Sequence, residues 1–330
     1  MRVRLLTVAA AASTAAWTAL VVAQQAAAPA VPAGAQEPTP VFRSGVEVMN
    51  LSVTVTDKRG RPITDLTQDD FLIFEDRQPQ TIVSFASARE KTSTPIGLGL
   101  VLDASQSMTR DRLGAMRTAV QIMVNDRLRK DDELYFVEFA SDVRLTVPWT
   151  TNKGEVIGAI RRIQTRTGTA LYDAIRRALD LSRTGRHRKQ VVLIISDGGD
   201  THSTVNRREL AMLARASGVI LYALVVDSEG GFGARAGGDY KVRQAAAELA
   251  QLTDATGGRT EYVQGFAEME NAIEQMGKEF TQQYELAYAR RPDDGRFHEI
   301  MVVVKRTDII VRHRIAYLAG PLPPSSSPPP

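Results

Sequence analysis

At 330 residues the chain is long for one domain and suits two, and 43% hydrophobic with 24% charged residues lies in the ordinary globular range. The net charge of +3 comes from 41 basic and 38 acidic residues; setting aside Arg2 and Arg4 in a leader leaves 39 against 38, so bulk charge gives no argument for nucleic acid. The absence of cysteine excludes disulfides, thiol nucleophiles, Cys-ligated zinc and lipid attachment at a Cys behind the leader.

Residues 1–23 read as a bacterial export signal. Met1-Arg2-Val3-Arg4 is positive, Leu5 to Ala23 carries no charge, and Val21-Val22-Ala23 or Ala33-Gly34-Ala35 offers small residues for cleavage. The expected location is therefore the periplasm or the medium. An uncleaved leader is the one route to a membrane, because its uncharged run of 19 residues could just span a bilayer. Residues 24–42 and 320–330 are rich in Ala, Pro, Gln or Ser and bury too little apolar area to order themselves.

Residues 43–90 read as β-strands. Val46 to Thr56 alternates, Asp57-Lys58-Arg59-Gly60-Arg61-Pro62 supplies a turn, and Phe71 to Phe74 and Ile82 to Phe85 add two strands. From Pro95 the character changes. Ile96 to Leu102 and Val191 to Ile195 are continuous apolar runs, as buried parallel strands require. Further strands are predicted at Leu134 to Phe139, Val143 to Val147, Val219 to Val226 and Thr260 to Val263. Helices are predicted at Met108 to Leu128, Thr169 to Ser182, Arg207 to Ala216, Val242 to Thr253 and Ala267 to Phe280. This alternation predicts an α/β fold over residues 95–282: a doubly wound, mostly parallel sheet flanked by helices. In residues 283–319, Tyr284 to Tyr288, Ile300 to Val304 and Ile309 to Tyr317 are expected to pack with the strands of 43–90 as one small β domain, into which the α/β unit is inserted.

Three segments of the α/β region carry candidate chemistry. Asp103-Ala104-Ser105-Gln106-Ser107 follows the first apolar strand, where open α/β sheets bind ligands. Gly168-Thr169-Ala170-Leu171-Tyr172 places a hydroxyl at a helix start, and Ile194-Ile195-Ser196-Asp197-Gly198 places a carboxylate at the end of the second apolar strand. Singly, Ser105, Ser107 and Thr169 are as well explained as helix caps and Asp197 as turn chemistry. Together, in this order, they resemble the metal-ion-dependent adhesion site of von Willebrand factor A domains, and residues 95–280 carry the resemblance. The flanking strands, with Thr64 to Phe71 and Glu75-Asp76, are similar to an exported family of A-domain-related proteins common in acidobacteria.

Metal ligands are expected at Asp103, Ser105, Ser107, Thr169 and Asp197. Three neutral hydroxyls and two carboxylates suit Mg²⁺, with Mn²⁺ or Ca²⁺ as alternatives. The resemblance implies a protein partner that supplies a carboxylate to the ion, hence an adhesion or interaction module and not an enzyme. The other reading is a structural or regulatory subunit of an envelope complex whose metal is static. No small-molecule substrate and no other cofactor is implied. The four histidines (His187, His202, His298 and His313) show no ligand spacing, so no zinc site is expected. No Gly-x-Ser-x-Gly elbow is present. Ser228 to Asp239 lacks the Gly-Lys-Ser/Thr ending of a phosphate loop and reads as a loop that could shape partner choice. The basic clusters at Arg161-Arg162, Arg176-Arg177 and Arg186 to Lys189 read as solvated helix faces and ends.

Overall fold

The computed structural model describes residues 47–88, 94–197, 199–227 and 238–321. The leader, the linker, most of the Gly-rich loop, Gly198 and all but the start of the tail lie outside the described residues.

Four strands precede the α/β region: β1 (Val48–Asp57), β2 (Phe71–Glu75), β3 (Gln78–Gln80) and β4 (Ile82–Ala86). The central unit runs β5 (Ile96–Asp103), α1 (Arg110–Asp126), β6 (Glu133–Phe139), β7 (Val143–Thr150), α2 (Lys153–Arg161), α3 (Leu171–Ser182), β8 (Lys189–Ser196), α4 (Arg207–Ser217), β9 (Ile220–Val226), α5 (Gly238–Thr256), β10 (Arg259–Val263) and α6 (Phe266–Thr281). Four more strands close the fold: β11 (Tyr284–Ala289), β12 (Phe297–Val304), β13 (Ile309–Arg312) and β14 (Ala316–Leu318).

The central sheet has the order β10-β9-β8-β5-β6-β7, parallel except for β7. Its strands are apolar on both faces because helices cover both. Leu98, Leu100 and Leu102 point with Leu193 and Ile195 toward Met116 and Val120 of α1 and Ile273 and Phe280 of α6. Val101, Val192 and Ile194 face Leu171, Ile175 and Ala178 of α3, with Leu210 of α4 and Leu249 of α5. The period-2 alternation of side chains thus divides each strand between two cores.

On the α3 face, β5 presents Gly97 and Gly99, and the side chains of Gln190 and Tyr135, respectively, fill the space left free. A Cβ at Gly99 would stand 2.1 Å from the Tyr135 hydroxyl, which is buried and donates to Ala178 O at 2.8 Å. Gly99→Ala is therefore expected to cost about 1–3 kcal/mol by overpacking, at the high end if the tyrosine loses its acceptor. Urea unfolding checks this, and wild-type stability in the variant would refute the packing.

The outer strands form two antiparallel sheets, β13-β1-β11-β4 and β14-β12-β2-β3. β4, the last strand before the α/β unit, pairs with β11, the first after it, with Phe85 opposite Leu286. The chain thus leaves and re-enters the β sheets at neighbouring strands. Inward residues of both sheets share one core: Leu51, Val53, Phe71, Ile73, Tyr284 and Val302 among them. β12 alternates strictly, with His298, Ile300, Val302 and Val304 buried.

Three features differ from the pattern read along the chain. The predicted strand Ile309 to Tyr317 is two strands. Between them His313 turns inward to accept the Val302 N–H through Nε2 at 3.1 Å, and Arg314 reaches Arg215 O, so these residues leave the ladder. β3 is unforeseen because Gln78-Pro79-Gln80 has no apolar pattern. It forms because Asp76 and Arg77, at φ +47° and +66°, make a two-residue turn that lays it on β2. Helix α2 is also unforeseen, since only Val156, Ala159 and Ile160 of its nine residues are buried.

Candidate metal centre

Because β5 and β8 are adjacent and parallel, with Leu102 opposite Ile195, their following loops lie side by side. That register places Asp103 and Asp197 at one edge of the sheet. Both are buried, at 0% and 3% exposure. Asp103 Oδ1 accepts the Ser105 N–H at 2.7 Å, which turns the chain sharply out of β5. Its Oδ2 accepts the Ser196 hydroxyl at 2.5 Å. The Ser105 and Ser107 hydroxyls are 2.9 Å apart, and Ser107 donates to Asp197 Oδ1 at 2.9 Å. Four of the five expected residues therefore form one continuous polar cluster.

Thr169 arrives on the third loop. Arg166 N–H donates to Ala104 O at 2.7 Å and Ala170 N–H to Ala140 O at 2.6 Å, which fastens this loop to the ends of β5 and β6. The Thr169 carbonyl accepts from Thr201 and His202 N–H groups at 2.8 and 3.1 Å. Gly168 adopts φ +78°, and a Cβ there would meet Ser141 and the His202 ring at 2.8–2.9 Å. Thr169 is buried, but among the described residues no hydrogen bond joins its hydroxyl to the other four.

None of the three hydroxyls caps a helix. The residue preceding α1 is Thr109 and that preceding α3 is Ala170, and neither helix has a side-chain cap bond. The first turn of α3 is instead served by Asp200, whose Oδ1 accepts the Tyr172 N–H at 3.2 Å, and by Ser203, which accepts the Asp173 N–H at 3.0 Å. This gives Asp200 a structural task. Two further residues belong to the cluster that sequence reasoning missed. Ser196 adjoins Asp197 but carried no signal of its own. Arg112, on the first turns of α1, donates to Ser107 O at 2.6 Å and stands 3.7 Å from Asp197 Oδ2.

The electrostatics are those of two crowded carboxylates. Burial pushes the Asp103 carboxyl up, opposed by hydrogen bonds from Ser105 and Ser196. Burial and then the Asp103 charge push Asp197 up to about 6, opposed by Ser107 and Arg112. Asp197 Oδ2 is buried and accepts no hydrogen bond. An all-oxygen donor set, one of its buried carboxylate oxygens unsatisfied, fits a hard dication. A cavity of about 360 Å³, lined by Lys189, Arg314 and Glu285 among others, lies at the opposite end of β8 and includes none of these residues.

Residues 98–199 match the family model for the von Willebrand factor type A domain, a segment that contains all five expected ligands. No curated protein matches the chain. Among solved structures it is similar to a von Willebrand factor type A protein from Catenulispora acidiphila, at 12% identity and a TM-score of 0.48, over 84% of this chain and 75% of that one. It is also similar to the PilB minor pilin from Streptococcus sanguinis, at 12% identity and 0.47, over 58% of this chain and 63% of the pilin, so the match spans less than two thirds of that protein. The vWF domain of the type V pili tip protein Mfa5 from Porphyromonas gingivalis matches at 12% and 0.43, over 57% and 95%. The match to the von Willebrand factor type A domain model thus runs from within β5 to just past Asp197, in a mostly parallel sheet flanked by helices.

Proposed function

We propose that this is an exported, non-catalytic interaction module that engages a protein partner through a Mg²⁺ ion at the Asp103–Asp197 cluster. The supporting observation is the convergence of two buried carboxylates, Asp103 and Asp197, with the Ser105 and Ser107 hydroxyls from two adjacent loops at one sheet edge. Ser105, Ser107 and Thr169 would hold the ion as neutral ligands, with Asp103 and Asp197 balancing its charge. A bound dication would supply a Lewis-acidic position for a carboxylate of the partner. Asp103 is held by Ser196 and the Ser105 backbone, and Arg112 anchors the Ser107 carbonyl, so the donor oxygens are positioned before a partner arrives. The Ser105 hydroxyl bonds to that of Ser107, and Ser107 to Asp197; among the described residues no histidine is hydrogen-bonded to either serine, which supports binding over hydrolysis. Export rests on the leader. Among the described residues no helix is long and apolar enough to cross a membrane.

The test is capture of envelope proteins by immobilised chain in Mg²⁺ or EDTA, using extract with free or amidated carboxylates. Binding is expected only with Mg²⁺ and free carboxylates, and is expected to vanish in Asp103→Ala and Ser105→Ala variants that retain their circular dichroism. Capture that survives EDTA refutes the reading. Saturated metal with no carboxylate-dependent partner would favour a static, structural ion.

A further inference from the structure

At the end of β8 remote from Asp197, a cavity of about 360 Å³ lies between the starts of β8 and β9 and the outer strands β1, β4 and β11. Among the described residues its walls carry three basic side chains, Arg188, Lys189 and Arg314, against one acid, Glu285. Lys189 and Glu285 cancel: the ammonium stands 2.9 Å from Glu285 Oε1, and the Ser52 hydroxyl lies 2.9 and 2.8 Å from the two carboxylate oxygens. Arg188 is exposed and donates to the Asn50 amide oxygen at 2.9 Å. Among the described residues neither Arg188 nor Arg314 forms an ion pair, so the lining keeps two uncompensated cations.

Arg314 sits between β13 and β14, where its Nε donates to Ala316 O at 3.1 Å and its Nη2 to Arg215 O at 3.2 Å. Both acceptors are backbone carbonyls. The second belongs to the last turn of α4, whose dipole supplies only about half a negative charge. Burial pulls the Arg314 pKa down to about 10, opposed by the Tyr288 and Tyr317 hydroxyls, and no carboxylate acts on it. Nη1, the nitrogen left without an acceptor, lies beside Gly218 of the cavity wall, 3.3 Å from where a Cβ would stand. A charge so enclosed is costly without a counter-ion.

We propose that this cavity binds a small organic anion, its phosphate or carboxylate group seated against Arg314 with a second favourable charge from Arg188. A guanidinium holds either oxyanion through charge-assisted N–H···O⁻ bonds, and Nη1 has both of its hydrogens to give. The volume is at the small end of the range for ligand pockets and exceeds what one inorganic ion fills, so the charged group is one part of a larger molecule. Ala86 and Ala287, small residues on the paired strands β4 and β11, leave room for its body. The site needs no metal and is independent of the Asp103–Asp197 cluster. In sequence Arg186 to Lys189 reads as a solvated basic run, whereas the fold brings two of its members to one cavity with Arg314.

The test is calorimetric titration of the full chain in EDTA, which removes metal from the reading, with phenyl phosphate and with benzoate. One equivalent of at least one probe is expected to bind, and the tighter of the two assigns the group as phosphate ester or carboxylate. Arg314→Gln should weaken binding about 10–100-fold. Arg188→Ala should weaken it less and flatten its dependence on salt. Ser84→Phe, at an exposed wall position on β4, removes no charge and should block the cavity. Its loss of binding stands in for Arg314→Gln if that variant fails to fold. Binding of neither probe by the wild type, or equal binding by the wild type and Ser84→Phe, overturns the proposal.

Discussion

Glu279→Ala is expected to lower stability by about 3–5 kcal/mol, a large part of the ~5–15 kcal/mol that holds a typical domain. Glu279 lies on α6 and is 3% exposed. Its Oε1 is 2.9 Å from Arg259 Nε on β10 and 2.9 Å from Arg312 Nη2 on β13. Removing the carboxylate leaves two largely buried guanidiniums facing each other; Arg259 keeps its ion pair with Glu261, while among the described residues Arg312 forms no other ion pair. The loss acts where the α/β unit meets the β sheets, since β13 pairs with β1 while Arg259 and Glu279 belong to the α/β unit. Glu279→Gln keeps the shape and one acceptor and should fall between. Urea unfolding measures both, and an alanine variant as stable as the wild type would show that the three-residue contact is not formed in solution.

What the sequence made legible was local. Ile96 to Leu102 and Val191 to Ile195 announce buried parallel strands because every residue is apolar, and adjacent parallel strands bring their following loops together by geometry alone. Asp103, Ser105, Ser107 and Asp197 could therefore be placed in one cluster from order and spacing. Arg112 could not, because a basic residue on an amphipathic helix looks the same whether it faces solvent or a carboxylate. Arg314 was equally silent. Its guanidinium is held by the Arg215 carbonyl on α4, 99 positions away. The break at His313 arises likewise from a bond to Val302 on another strand, a contact no alternation pattern encodes.

Asp197→Asn should separate the cost of the crowded carboxylates from the stabilisation by metal. With the Asp197 pKa raised from 3.8 to about 6, the folded chain holds more proton than the unfolded chain between those values. Its favourable contribution is fully present below pH 3.8 and is lost as pH rises through about 6. Two pKa units correspond to roughly 3 kcal/mol. In chelator at pH 8, Asp197→Asn is thus expected to be more stable than the wild type by up to that amount, with the gap closing toward pH 4. Mg²⁺ at a hundredfold excess over its dissociation constant should then add about 2.7 kcal/mol to the wild type and nothing to the variant. Thermal unfolding at pH 4, 6 and 8 with EDTA or Mg²⁺ reads every arm. Identical pH slopes in chelator would mean that Asp197 carries no burial cost. An equal Mg²⁺ shift in both proteins would move the ion away from Asp197, and the partner-binding mechanism built on this cluster would fall with it.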